Sequence, residues 1–236
     1  MFRFDWKMTL FVLLLLPVLI RLGYWQLERE AEKRDLQQLY EERQSSAPLP
    51  ISGVDWSDKD IGWSRIQAEG YYETEYNFLL DNRIQSGQVG YEVLTPFRTD
   101  YGVLLINRGW IAAGPRREIL PSIETPEDKA VIEATIYIPD GELMMFGEET
   151  LSGEQWPKRI QQVHLARMSE ALGEKLIPAR LRLSAGSAGE LSIDWQTVNM
   201  QPEVHRGYAI QWFLMAAALV VLFVFFSFRR KEKPNE

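Results

Sequence analysis

Residues 208–228 contain no charged side chain, and residues 214–226 are continuously apolar. Nothing else in the chain constrains its fold as strongly. At 1.5 Å of rise per residue, a helix of this length crosses a hydrocarbon core of about 30 Å. Tyr208 and Trp212 stand at its entry, where amphipathic rings prefer the headgroup level, and Arg229-Arg230-Lys231 close its exit. The positive-inside rule makes that basic exit cytoplasmic.

A second apolar run begins the chain. Residues 8–20 are apolar, follow Arg3 and Lys7, and are interrupted by Arg21 before Leu22, Tyr24 and Trp25. The length alone would suit the core of a signal peptide, but no small-x-small cleavage site follows. The reading is therefore an uncleaved transmembrane helix over residues 6–25, with Pro17 tolerated inside lipid. Arg21 either snorkels outward or faces the partner helix. Both termini are then cytoplasmic and the middle of the chain is exported. A short N-terminus carrying Asp5 is not an organellar transit peptide. The layout predicts a multi-pass protein of a bacterial inner membrane with a periplasmic central domain.

Charge and composition narrow the function. The formal net charge is −7. Both tails are positive, so the middle is more acidic than the whole, which argues against nucleic acid. The chain has no cysteine. That excludes disulfides, thiolate metal sites, covalent c-type haem attachment and cysteine-based copper delivery. The exported domain must rely on its apolar core.

Within that domain the period changes. Residues 26–48 are dense in charge, carry a Glu30–Arg34 pair at i,i+4, and predict a juxtamembrane helix. From there to residue 204 two-residue alternation dominates, as in residues 65–69 and at Ile132, Ala134, Ile136 and Ile138. Residues 76–80, 89–95 and 102–107 add β-branched or aromatic runs, and residues 180–183 and 192–200 predict late strands. Leu165, Met168, Leu172 and Leu176 share one helical face, with Gly173 as terminator. The fold class is thus an α+β membrane protein. Helices at residues 6–25 and 205–228 flank an antiparallel β-rich domain with one helix, a small barrel or sandwich over residues 49–204. Residues 229–236 form a basic cytoplasmic tail.

Few residues are placed to carry chemistry. His205 lies at the outer membrane edge, where a neutral imidazole can ligate haem iron, with propionates near Arg206 or Arg21. It can equally be an interfacial histidine bonded to water or lipid. His164 begins a soluble helix and reads as a solvated or capping residue. Gln26 and Gln211 flank Trp25 and Trp212 at one level of the two spans, where amides bridge helices or line a pocket between them. Asn107-Arg108-Gly109-Trp110 follows an apolar strand. It reads as a turn with a solvated Arg108 and a core-capping Trp110, or as an anchor for a partner. Met144-Met145 would point to opposite faces of a strand and make a poor soft-metal site. No Gly-x-Ser-x-Gly, His-Glu-x-x-His or phosphate-binding loop supports hydrolysis.

These pieces together resemble the Surfeit locus protein 1 family, membrane factors for assembly of haem-copper cytochrome c oxidase. The likeness rests on Gly23-Tyr24-Trp25-Gln26-Leu27, Gly70-Tyr71, Gly90-Tyr91-Glu92-Val93-Leu94-Thr95-Pro96 and Ile106-Asn107-Arg108-Gly109-Trp110-Ile111. It rests above all on His205-Arg206-Gly207-Tyr208-Ala209-Ile210-Gln211-Trp212-Phe213. Ala112 stands where members often have Pro, and Val204 where they often have Asn. The resemblance implies a non-enzymatic role in delivering haem a to, or retaining it in, oxidase subunit I. It implies His205 as iron ligand, with Trp212, Gln211, Tyr208, Trp25, Gln26 and Arg21 around a transiently bound haem a. Membrane lipid, subunit I and haem a synthase would be its partners. The competing expectation is a scaffold without cofactor, holding an oxidase subunit through Asn107, Arg108 and Trp110.

Overall fold

The computed structural model describes residues 6–114, 116, 119–137, 151, 155–195 and 201–228. Met144-Met145, Ile138, residues 196–200 and the basic tail 229–236 lie outside that set. The chain divides into two units, one of residues 1–39 and 199–236, the other of residues 40–198.

The first unit contains most of α1 (Trp6–Ser45) and all of α3 (Pro202–Phe228). Both helices are long and apolar enough to cross a membrane by length and composition. In α1 the buried residues are Val12, Leu19, Gly23, Gln26 and Glu30, and in α3 they are Pro202, Ala209, Ala216 and Ser227. Steps of three, four, seven and eleven place each set on one stripe, the seam of a helix pair. Small residues let the backbones approach. A Cβ on Gly23 would stand 2.7 Å from the Phe213 ring. Tyr24 meets that ring edge-on at 5.5 Å. The outward faces are apolar, with Leu13, Leu14, Leu214 and Val221 exposed.

α1 runs on without a break through the charge-dense juxtamembrane segment, as the sequence predicts. The Glu30–Arg34 pair forms along it. Both Ser45 and Ser46 donate to the Glu42 carbonyl, at 2.9 and 2.8 Å. Pro48 then forbids another helical turn.

The second unit is built on one eight-stranded sheet: β1 (Leu49–Pro50), β2 (Arg65–Tyr72), β3 (Phe78–Gln85), β4 (Gln88–Thr99), β5 (Gly102–Ala112), β6 (Ala130–Ile136), β7 (Lys158–Ile160) and β8 (Leu176–Leu183). The order is β1-β2-β6-β8-β5-β4-β3-β7, and β2 also pairs with β4. That extra pairing closes β2-β6-β8-β5-β4 into a barrel. The twelve-residue β4 makes closure possible. It pairs with β3 from Phe78↔Leu94 to Gln85↔Gln88, then turns to β2 at Tyr72↔Phe97 and Tyr71↔Arg98. Gly70 allows the approach, since a Cβ there would lie 2.0 Å from the Arg98 carbonyl oxygen.

Alternation fixes which side fills the barrel. Ile66, Ala68, Tyr72, Phe97, Leu104, Ile106, Ile132, Ala134, Leu181 and Leu183 form the interior cluster. The opposite face of β5 is also covered. Val103 and Leu105 pack with Phe78, Leu80, Leu94 and Met168 beneath α2 (Leu165–Leu172). Gly173 ends α2 at φ +69°, with Gly173 N–H donating to Glu170 and Glu174 N–H to Ser169, the bond pair of a Schellman cap.

Four sequence expectations are corrected here. The sheet is mixed, because β1–β2, β3–β7 and β5–β8 are parallel. No hairpin joins the members of these pairs, so no tight turn imposes opposite directions. Leu176 begins β8 rather than extending the helix, although it packs in the same cluster as Met168. Ser192 makes one bridge to Trp110, and residues 193–195 are irregular rather than a strand. Asn107-Arg108-Gly109-Trp110 is no turn. It lies inside β5, where Arg108 and Gly109 together face Val93 in a bulge between the pairs Glu92↔Trp110 and Leu94↔Asn107.

Candidate functional site

In the helix-pair unit, His205 sits on the first turn of α3, on the stripe that faces α1. Its Nδ1 lies 2.8 Å from Gln26 Oε1. An amide oxygen only accepts, so Nδ1 carries the proton, and in the neutral ring Nε2 keeps its lone pair. Gln26 is buried, and its side chain therefore holds the imidazole in one tautomer and one orientation. This is the arrangement of a metal-ligating histidine with its supporting acceptor.

The other candidates divide by helix periodicity. Tyr208 and Trp212 follow His205 at three and seven residues and share its side of α3. Gln211 is exposed. It stands six residues along, about 9 Å further down the helix. Gln26 thus pairs with His205, not with Gln211. Trp25 and Arg21 lie off the Gln26 stripe. Arg21 is exposed and pairs with Glu28 at 3.6 Å, so it points away from the seam. Arg29 lies over Trp25 at 6.0 Å. His164 is exposed at the start of α2 and makes no side-chain cap. Among the described residues no group of three or more His, Asp or Glu is placed to hold a metal ion.

In the barrel unit the decisive residue is Arg108, and its burial corrects the expectation of a solvated side chain on a turn. Its side chain continues the inward alternation of Leu104 and Ile106 along β5, and it is 1% exposed. Its Nε donates to the Gly189 carbonyl at 2.7 Å, Nη1 to Thr125 Oγ1 at 2.7 Å, and Nη2 to the Glu124 carbonyl at 2.5 Å. Its guanidinium lies 5.1 Å from the Tyr72 ring centroid. Burial pushes the Tyr72 phenol up to about 12 and lowers the Arg108 guanidinium from its ordinary value. Gly109, at φ +118°, leaves room for the Ser192 carbonyl, which a Cβ would approach to 2.7 Å. Arg108 is thus an internal tie that fastens two connecting segments to the barrel, and an enclosed guanidinium offers nothing to a partner. Asn107 is buried on the opposite face of β5, donating to Glu92 Oε2 at 2.6 Å. Trp110 is half-buried and donates to the Arg83 carbonyl at 3.1 Å.

The helix-pair motif and the barrel motifs lie within one match to known proteins. The sequence profile of the SURF1 family matches residues 13–217. The chain belongs to the SURF1 family. An uncharacterised SURF1-like protein of Mycobacterium tuberculosis is 23% identical over 224 residues, covering 91% of this chain and 81% of the relative. A SURF1-like protein of Rickettsia bellii is 23% identical over 231 residues, covering 92% and 89%. Surfeit locus protein 1 of Xenopus tropicalis is 28% identical over 128 residues, 47% of this chain and 41% of the relative.

For this SURF1-family chain, sequence reasoning missed two relationships. Val204, where an asparagine was anticipated beside the histidine, is exposed at 44%. The supporting amide comes instead from Gln26, 179 residues earlier in the chain. The signal was present, because Gln26 belongs to the Gly23–Leu27 motif, but only the pairing of α1 with α3 shows what it serves. The second is Arg108, which continues the inward alternation of Leu104 and Ile106 because its segment is strand and not turn.

Proposed function

We propose that this protein is anchored in a bacterial inner membrane by α1 and α3, with both termini cytoplasmic and the barrel outside. In that setting it handles haem a during assembly of cytochrome c oxidase, delivering it to, or retaining it in, subunit I. One observation carries the reading: the His205 imidazole is held through Nδ1 by buried Gln26, leaving Nε2 with a lone pair. The donor set would suit haem iron, which His205 would hold with one imidazole rather than a cluster of protein ligands. Bound haem would supply an iron centre and an apolar macrocycle. The chain's own residues supply the rest. Gln26 orients the ring, and Tyr208 and Trp212 offer aromatic surface on the same side of α3. The apolar outer faces of both helices match lipid and a farnesyl tail. A single histidine ligand also suits a carrier, since one bond must be broken on release.

The test is an absorption spectrum and pyridine haemochrome of the detergent-purified protein, co-expressed with a haem a pathway. A haem a signal that disappears in His205→Ala supports the assignment. Unchanged haem content in that variant removes His205 as ligand. A colourless wild type that co-purifies with oxidase subunits would replace the carrier with a cofactor-free scaffold.

A further inference from the structure

In the barrel unit three hollows converge on Arg182. The central one, about 110 Å³, is lined by three arginines, Arg83, Arg180 and Arg182, against one carboxylate, Glu92. Glu92 is already engaged. Its Oε2 accepts from Asn107 at 2.6 Å and its Oε1 lies 3.6 Å from Arg83 Nε. Arg180 spends one donor on the Val163 carbonyl at 2.6 Å. Arg182 is hydrogen-bonded to the Tyr137 side chain and feels the charge of Glu92, while its Nε has no partner among the described residues. Its guanidinium is stacked 3.6 Å from the Tyr137 ring centroid and 4.9 Å from that of Trp195. The donors of this planar fork that remain, its Nε among them, suit a carboxylate. The Nε atoms of Arg83 and Arg182 are buried without a hydrogen-bond partner among the described residues. Burial also lowers the Arg180 and Arg182 guanidinium pKa values, so their positive charge is held where desolvation opposes it.

A cluster of cations retained at that cost, in a chain of net charge −7, points to an anion from outside. We propose that the Arg182 hollow binds a carboxylate presented by an extended segment of a partner protein. The segment, rather than a free small acid, is indicated by what flanks the central hollow. A cleft of about 420 Å³ adjoins it, with Tyr40, Trp63, Arg65 and Glu133 in its walls, and another of about 360 Å³, with Ile84, Trp110 and Asp194. Arg182 and Trp195 line both. Residues on either side of a bound glutamate or aspartate would enter these aromatic-walled clefts. The acidic surroundings would repel acidic segments everywhere else, which confers selectivity.

The test uses the full chain in detergent without haem, so it is independent of the cofactor reading. The probe is a fluorescein-labelled, amidated peptide, Gly-Ser-Leu-Leu-Glu-Leu-Leu-Ser, followed by fluorescence polarisation. Its glutamine counterpart and free succinate serve as competitors. The expected result is saturable binding that weakens roughly tenfold or more in Arg182→Gln, as loss of a charged hydrogen-bonded pair implies. Lys175→Gln, an exposed charge outside the hollows, should leave it unchanged. Glu92→Gln frees Arg83 and should tighten binding severalfold, a change no folding defect imitates. Equal affinity in Arg182→Gln overturns the proposal, as does the absence of saturable binding. Competition by succinate equal to the peptide, or no tightening in Glu92→Gln, overturns it too.

Discussion

Arg108 permits the sharpest quantitative prediction. Replacing it with methionine keeps much of the side-chain volume and removes every donor. The carbonyls of Glu124 and Gly189 and the Thr125 hydroxyl then lose partners that now sit 2.5–2.7 Å away. Removing one side of a buried charged network costs about 3–5 kcal/mol, because the stranded groups remain desolvated. In a domain of this size each kcal/mol shifts the midpoint by about 2–4 °C, so the barrel transition should fall by roughly 6–20 °C. Arg108→Lys retains charge but not the planar fork, and should fall between wild type and Arg108→Met. Circular-dichroism melts of the haem-free protein in detergent provide the assay. The reverse expectation comes from the reading of Arg108 as solvated, under which Arg108→Met changes stability by less than about 0.5 kcal/mol. A midpoint for Arg108→Met within about 2 °C of wild type would refute the internal-tie assignment.

Gly70→Ala should destabilise the barrel by about 1–3 kcal/mol or more, since the new Cβ meets backbone at 2.0 Å and the β2–β4 closure must open to admit it; amide exchange at Tyr71 and Tyr72 would report the opening. The Tyr72 phenol is neutral when folded and its pKa is raised by burial to about 12. Its contribution is therefore complete below the ordinary phenol value near 10 and is lost as pH rises from there towards 12. Wild type should lose stability across that window more steeply than Tyr72→Phe, and equal slopes in alkaline melts would exclude it. Gln26→Leu removes the acceptor that orients His205 and should weaken haem retention about 10–100-fold while leaving His205 in place; titration of haem a into the purified apoprotein measures this.

Much of the architecture could be read before any coordinates. Long apolar runs such as residues 208–228 specify long helices directly, because length and hydropathy are properties of consecutive residues. Alternation at residues 65–69 and 130–136 marked strands β2 and β6 for the same reason, and Gly173 marked the end of α2 through its tolerance of positive φ. What depends on partners distant in the chain was not legible. Neither the parallel pairing of β5 with β8 nor the closure through β2 and β4 follows from a local pattern. The Asn107–Trp110 segment has the composition of a turn, yet a turn and a bulge both use Asn and Gly. Only the neighbouring strand decided between them.

The same division holds at the candidate site. The sequence by itself determined that His205 stands at the head of an apolar helix, with Tyr208 and Trp212 at spacings that share its side. Helix periodicity is local and requires no fold to be known. The tertiary structure decided which amide supports the imidazole, turning Gln26 into the partner of His205 and leaving Gln211 outside the seam. It also decided that Arg108 is a tie rather than an anchor, and that Arg83, Arg180 and Arg182 share one hollow. Each of these is a contact between residues far apart in sequence. Hydrogen bonds and buried charge take their meaning from what surrounds them, and only the folded chain supplies those surroundings.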